Sequence, residues 1–349
     1  MAANSSRVIV TYLDRKWSVA GELDGYAQYP EDVEVIVVAL RALGLRSEAL
    51  DVGRTPGLLE ESVQAGDILF NYVERVSDPQ GEESWYVPDV AAKLGVRCLG
   101  PSSRTLALVT DKGATKRRCE TLVTTARGVF VGRPSSIGSI SLDTLRPPLI
   151  VKPNFEAGSR GVSDEFVLES ISDVRVKVAE QLLRFPQGVL IEEFVAGEDV
   201  TVAFLQSGGS YSCLPPVLYR PGRLTESRRR MYDYAAKNAP HAREVQLRGE
   251  HAECPAALPR SVIAEIEAAT VRTAAALGVP AFGRVDFRLS EGGPCFLEIN
   301  ALPDLDPTGG FAIACSAAGQ SLDVVLRSIL EAHGMSVSDP ELSPHASWT

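Results

Sequence analysis

The chain has 349 residues, 45% of them hydrophobic and 23% charged, with 35 basic against 45 acidic side chains for a net charge of −10. That length holds roughly two or three domains and a core that folds without disulfide or metal staples. Collagen-like or largely disordered chains are excluded by the composition, and the negative charge disfavours duplex nucleic acid or an anionic membrane as the main partner.

Val8–Leu13 is strand-like, and Pro30-Glu31-Asp32 opens an apolar-periodic helix over Val33–Leu43, closed by Gly44. Short strands follow at Ala49–Val52 and Asp67–Phe70. A helix over Trp85–Leu94 stops at Gly95, and Cys98–Leu99 forms another strand. This βαβ rhythm predicts a small parallel sheet with helices on its faces, covering residues 1–102. Helices at Ser103–Val109 and Lys112–Leu122 and a strand at Leu149–Lys152 open a second unit, 103–189. A third, 190–334, carries strands at Val189–Glu193, Val200–Leu205, Gly283–Leu289 and Pro294–Ile299. Its helices are Ser261–Leu277 and Leu322–Glu331. The polar, Pro- and Ser-containing segment 335–349 reads as a loose tail.

No stretch approaches the ~20 apolar residues of a bilayer span, and the N-terminus has no signal-peptide pattern, so no membrane partner is expected. The six cysteines form no CxxC pair and the four histidines show no ligand spacing. Free thiols in a reducing, cytoplasmic compartment follow as the expectation. Walker, dinucleotide-binding, kinase and nucleophile-elbow signatures are absent.

Three segments carry chemistry-bearing residues. The strongest is Gly283–Phe287 followed, after a Gly-Gly-Pro turn, by Phe296–Asn300. Arg284 and Asp286 share one strand face, as do Glu298 and Asn300, and hairpin pairing would gather all four. Asp, Glu and Asn are hard oxygen donors suited to Mg²⁺ beside phosphate; a salt-bridged, solvated hairpin explains the same charges equally well. The second segment places Lys152 at the end of an apolar strand before a loop, Glu156–Val162, that contains Gly158-Ser159-Arg160-Gly161. A buried lysine needs an anion, and such a loop can aim N–H groups at phosphate oxygens, although a surface turn is the commoner explanation. The third, 190–202, reads either as a plain acidic hairpin or as an adenine hinge with a carboxylate for ribose.

In order, these segments resemble an ATP-grasp ligase of the D-alanine–D-alanine ligase-like branch. The matching run comprises Asp111-Lys112 with Lys116, Val151-Lys152-Pro153, GSRGV (158–162), IEEFVAGEDVTV (191–202), YDYAAK (232–237), GRVDF (283–287) and FLEINALP (296–303). The resemblance spans almost the whole chain. It implies a three-domain ATP-grasp fold, α/β and α+β, with an N-terminal parallel-sheet domain.

The resemblance also implies roles. Lys112 and Lys152 would hold ATP phosphates under a closing loop that includes Gly158, Ser159 and Gly161. Glu192, Glu193 and the Val195 backbone would face adenine, with Leu297 among the nucleotide-contacting residues. Asp199 would accept the ribose hydroxyls, and Lys237 would reach the γ-phosphate from a mobile loop around 228–238. Asp286, Glu298 and Asn300 would ligate two Mg²⁺ ions, with Mn²⁺ as a substitute. Arg284, with Lys237 and Ser159, would act in catalysis. The implied reaction joins a small carboxylic acid to an amine through an acyl phosphate: a poor leaving group is activated by phosphorylation, then displaced.

Substrate-side positions depart from the family pattern. Asn71-Tyr72-Val73-Glu74-Arg75 replaces a His-Gly segment, Asn238 stands where a tyrosine is usual, and Asp304 and Asp306 lie in the loop after Asn300. The Gly21–Glu34 stretch offers only Glu31 for the family's N-terminal glutamate. These departures lead to an expected amino-acid-like substrate other than D-alanine, in natural-product biosynthesis. Authentic D-alanine–D-alanine ligase and a non-catalytic nucleotide-binding regulator are the alternatives, and a homodimer is the expected assembly.

Overall fold

A computed structural model describes residues 6–17, 27–77, 84–223, 229–238, 241–337 and 348. Part of the Gly21–Glu34 stretch, the first residue of the expected 228–238 loop and most of the 335–349 tail lie outside the described residues.

The first sheet is parallel, with spatial order Arg46–Asp51, Arg7–Tyr12, Ile68–Asn71, Arg97–Leu99. Its central strand is apolar on both faces because helices cover both. The helix Pro30–Ala42 starts with a proline and two acidic residues and buries Val33, Ile36, Val37 and Leu40 at three- and four-residue spacing.

A second sheet is antiparallel, in the order Gly128–Val131, Val189–Glu193, Leu149–Pro153, Val167–Leu168, backed by the helix Ile171–Arg184. In the third, Glu198–Ser207 lies between Val217–Tyr219 and Phe282–Ser290, and Phe282–Ser290 pairs with Gly293–Asn300. The helix Arg260–Leu277 packs on it and ends at Gly278 in the left-handed region.

Burial divides these units unequally. One core runs from Val8, Val10 and Ile36 of the first unit to Phe204, Phe282 and Phe311 of the third. The second sheet keeps a core of its own, built on Val151, Val178 and Ile191. Two units thus form one packed body, and the third element of the architecture faces it across a cleft.

Several expectations shift. Val189–Glu193 hydrogen-bonds to Leu149–Pro153, so the division at 189/190 belongs on the far side of that strand. The Lys112–Leu122 helix ends at Cys119, and the Trp85–Leu94 helix begins at Val87 because Ser84–Trp85 pairs with Val76–Ser77. Helices Ile171–Arg184 and Gly310–Ala317 were not foreseen, although Ile171, Val174, Val178 and Leu182 carry the helical spacing.

Gly197 precedes the long strand of the third sheet with φ +156°, and a Cβ there would lie 2.1 Å from the Leu289 carbonyl oxygen. Gly209, with φ +82°, has open space around it. Gly209→Ala should therefore cost about 1 kcal/mol from backbone conformation, and Gly197→Ala about 3 kcal/mol or more because backbone must move. Urea unfolding of the two variants checks this; equal costs would contradict the close approach.

Candidate active site

The cleft between the second and third sheets has a volume of about 140 Å³. Its floor is an ionic cluster. In the second sheet Leu190 pairs with Lys152, so Glu192 and Lys152 are diagonal neighbours on one face. Lys152 Nζ lies 2.6 Å from Glu192 Oε2, and Lys116, from the helix Lys112–Cys119, contacts the other carboxylate oxygen. Exposure is 6% for Lys116, 8% for Lys152 and 2% for Glu192.

Two buried cations share one buried anion. Burial pushes the Lys116 ammonium down to about 8 even though Glu192 supports it. Burial also opposes charge at Lys152 and Glu192, but their attraction prevails, raising Lys152 and lowering Glu192. The Glu192 carboxylate holds two lysines and also lines the cleft.

The hairpin gathers the second group. Asp286 pairs with Glu298 and Arg284 with Asn300 across the two strands. Asp286 accepts from Arg284 Nε at 2.9 Å and Nη2 at 3.1 Å, from Thr201 Oγ1 at 2.5 Å and from Asn300 Nδ2 at 3.1 Å. Glu298 takes Lys112 Nζ at 2.8 Å. Burial alone would raise the Glu298 carboxyl, yet Lys112, then Lys152 and Lys237, bring it down to about 2. Lys112 also donates to the Glu156 carbonyl at 2.5 Å, which ties the Gly-rich loop to this carboxylate.

The hairpin's donor chemistry fits a hard divalent cation. Glu298 keeps one oxygen without a protein partner among the described residues, and so does the Asn300 amide. Asp286 receives four donors, the capacity of a carboxylate, so it takes up a cation only by releasing one of them.

Lys237 lines the same cleft, and among the described residues no carboxylate lies within ion-pair reach of it. Burial first, and Arg284 second, lower its pKa. A half-buried ammonium so placed gains most from an incoming anion.

Other expected residues are spread around this centre. Ser159, at φ +61°, donates to the Tyr232 carbonyl at 3.2 Å. Gly158 and Gly161 also have positive φ. A Cβ on Gly161 would meet Pro153 at 2.6 Å and Phe185 at 2.8 Å, so packing behind the loop accounts for that glycine. Glu193 turns to Arg127 at 2.8 Å. Asp199 pairs with Arg288 at 2.7 Å and accepts from the Tyr232 N–H at 2.7 Å. Val195 and Leu297 line the cleft, whereas Arg284 and Asn300 stand behind Asp286.

Sequence reasoning missed Arg288. It is 3% exposed and holds Asp199, the Val195 carbonyl and the Arg229 and Arg230 carbonyls together. Its position two residues beyond Asp286 was the available signal. Also missed was Tyr219, stacked on Tyr232 with centroids 4.4 Å apart in the cleft wall. Glu74 is half-buried, and burial, with Glu298 and Asp304 nearby, pushes it up to about 7 against Lys112.

Asp306 does not present a free carboxylate to an amine. Arg243 donates to both of its oxygens, at 2.9 and 2.8 Å, and Asp32 of the first unit lies 3.7 Å from the same guanidinium. Arg243 belongs to the helix Ala242–Leu247 that follows Lys237 in sequence, so this contact joins that segment to both packed units.

The family described as "D-ala D-ala ligase C-terminus" matches residues 127–331. The D-alanine–D-alanine ligase of Halalkalibacterium halodurans is 30% identical over 249 residues, covering 68% of this chain and 73% of that protein. That of Thermotoga petrophila is 26% identical over 298 residues, covering 85% and 90%. Among solved structures, D-alanine–D-alanine ligase from Bacillus anthracis complexed with ATP superposes with a TM-score of 0.67 at 17% identity, covering 94% of this chain and 97% of that one. VanG D-Ala:D-Ser ligase from Enterococcus faecalis gives a TM-score of 0.67 at 15% identity, covering 94% and 99%.

The Asp32–Arg243–Asp306 contact has a pH signature. Burial and Asp306 push Asp32 up to about 6 from an ordinary 3.8. A raised carboxyl stabilises the fold while protonated, fully below pH 3.8, and loses that contribution as pH rises through 6. Asp32→Asn keeps a neutral side chain throughout. Its thermal midpoint should gain on that of the wild type as pH rises from 4 to 7; a pH-independent difference would contradict the coupling.

Proposed function

The chain belongs to the D-alanine–D-alanine ligase family of ATP-dependent carbon–nitrogen ligases with the ATP-grasp fold, and from that premise we propose that it joins two D-alanine molecules at the expense of ATP. Among the relatives reported, nothing favours a natural-product substrate, and the curated ones are all D-alanine–D-alanine ligases.

The observation that carries the reading is the excess of buried and half-buried positive charge beside an acidic hairpin. Lys116 and Lys152 share Glu192, and Lys237 has no carboxylate in reach among the described residues. A polyphosphate supplies the missing negative charge.

The proposed roles follow from position. Lys112, Lys152 and Lys237 hold the phosphates, and the Gly158–Gly161 segment with Ser159 closes over them. Backbone near Glu193 and Val195, with Leu297, takes adenine, and Asp199 takes ribose. Asp286, Glu298 and Asn300 hold two Mg²⁺ ions, for which Mn²⁺ substitutes; bound there, the ions neutralise phosphate charge.

A carboxylate cannot lose its oxygen to an amine. Transfer of the γ-phosphoryl group to it makes an acyl phosphate and ADP, and the second amine then displaces phosphate through a tetrahedral species. The lysines serve the first step by positioning and charge neutralisation. Arg284 serves the second: leaving Asp286, it meets the developing oxyanion. Enclosure by the loop keeps the acyl phosphate from water.

ADP release and product mass with D-alanine, D-serine and L-alanine test the proposal. D-Alanine should sustain ADP release and give the dipeptide, and Glu298→Gln should lower kcat by about 10²–10³-fold. ATP binding without ADP formation from any of the three would sink the ligase reading and favour a nucleotide-binding regulator.

A further inference from the structure

The segment Asn71–Arg75, which departs from the family pattern, has no part in the chemistry above. Its contacts give it another one. Thr11 Oγ1 donates to Asn71 Oδ1 at 3.2 Å inside the first unit. Tyr72 Oη accepts the Leu305 N–H at 2.6 Å, which docks the segment on the loop after the acidic hairpin. Arg75, 5% exposed, crosses the cleft to the second unit.

There its Nη1 donates to Gln187 Oε1 at 2.6 Å and its Nη2 to the Phe155 carbonyl at 3.0 Å. The guanidinium carbon stands 5.6 Å from the Phe155 ring centroid, and Nη2 is 3.9 Å from Glu156 Oε1. Phe155 and Glu156 begin the Gly-rich loop. The next carbonyl, that of Glu156, accepts from Lys112, which also binds Glu298. One continuous line of contacts therefore runs from the first unit through the loop entrance to the phosphate lysine and the acidic hairpin.

The second sheet has its own core and is held to the other units across a cleft. A planar fork held at three points in the loops that flank that sheet, anchored in the first unit, sets the distance and angle between them. We propose that Arg75 is a positioning residue for phosphoryl transfer: it fixes the entrance of the Glu156–Val162 loop from the amino-acid side of the cleft, so that loop closure and docking of the first unit occur together. The proposal rests on the ligase reading. Without the tie, the loop closes on ATP in less defined geometry and the acyl phosphate meets water. Water then cleaves it to the free acid and phosphate, so ADP accumulates without dipeptide.

The test compares full-length wild type, Arg75→Ala and Arg75→Lys for KM of ATP, kcat and the ratio of ADP released to dipeptide formed. Wild type should give a ratio near one. Arg75→Ala should raise the ratio to about two or more and KM for ATP about tenfold, as expected for misplaced reacting groups. Arg75→Lys, which keeps the charge but loses the fork, should restore only part of the coupling. A lower thermal midpoint with the ratio still at one would mean a merely structural arginine and overturn the proposal. If Arg75→Ala does not fold, Gln187→Ala removes the contact from the other side and should also raise the ratio; an unchanged ratio overturns the proposal. Absence of dipeptide from wild type would instead overturn the ligase reading beneath it.

Discussion

One carboxylate holding two ammonium groups out of water is the interaction on which the rest of the structure depends. Glu192 joins the helix that carries Lys112 and Lys116 to the strand that carries Lys152. Burying an ion is costly unless its partners are close, and here the partners are close but unequal in number. The residual positive charge gives the cleft a sign. Lys237 adds to it from the opposite wall, and Arg284 stands just behind. Such a site is stable enough to fold and incomplete enough to bind an anion.

The architecture places that charge where two bodies meet. The first and third sheets share a core, while the second is packed on itself, so relative motion has a natural seam. A small apolar cluster of Ile150, Val167 and Met231 bridges the seam, and Arg75 adds a polar tie from the first unit to the loop entrance. Directional bonds to backbone define geometry better than apolar burial does, and a ligase that must exclude water needs geometry at this seam. Arg243 plays a similar part at the outer edge, between Asp306 and Asp32.

Much of this was legible in the residues. Strand alternation around Arg284, Asp286, Glu298 and Asn300 located the hairpin, and the structure pairs those residues across it. The βαβ rhythm gave the parallel sheet. What the sequence hid was pairing between distant elements. Glu192 looks like an exposed hinge residue until a helix 76 residues earlier supplies Lys116. Arg75 and Arg288 look like ordinary surface cations until their backbone acceptors come from other units. Asp306 reads as an open acidic loop because Arg243 lies 63 residues away in sequence. Local periodicity reports which face is buried; it carries no information about which distant charge arrives there.

The central claim is that this cleft transfers a phosphoryl group to a carboxylate before any carbon–nitrogen bond forms. Incubation with ATP and D-alanine carrying ¹⁸O in both carboxylate oxygens tests it directly, by mass analysis of the inorganic phosphate released. The account predicts one ¹⁸O atom in each phosphate formed together with dipeptide. Unlabelled phosphate, formed together with dipeptide, would contradict it.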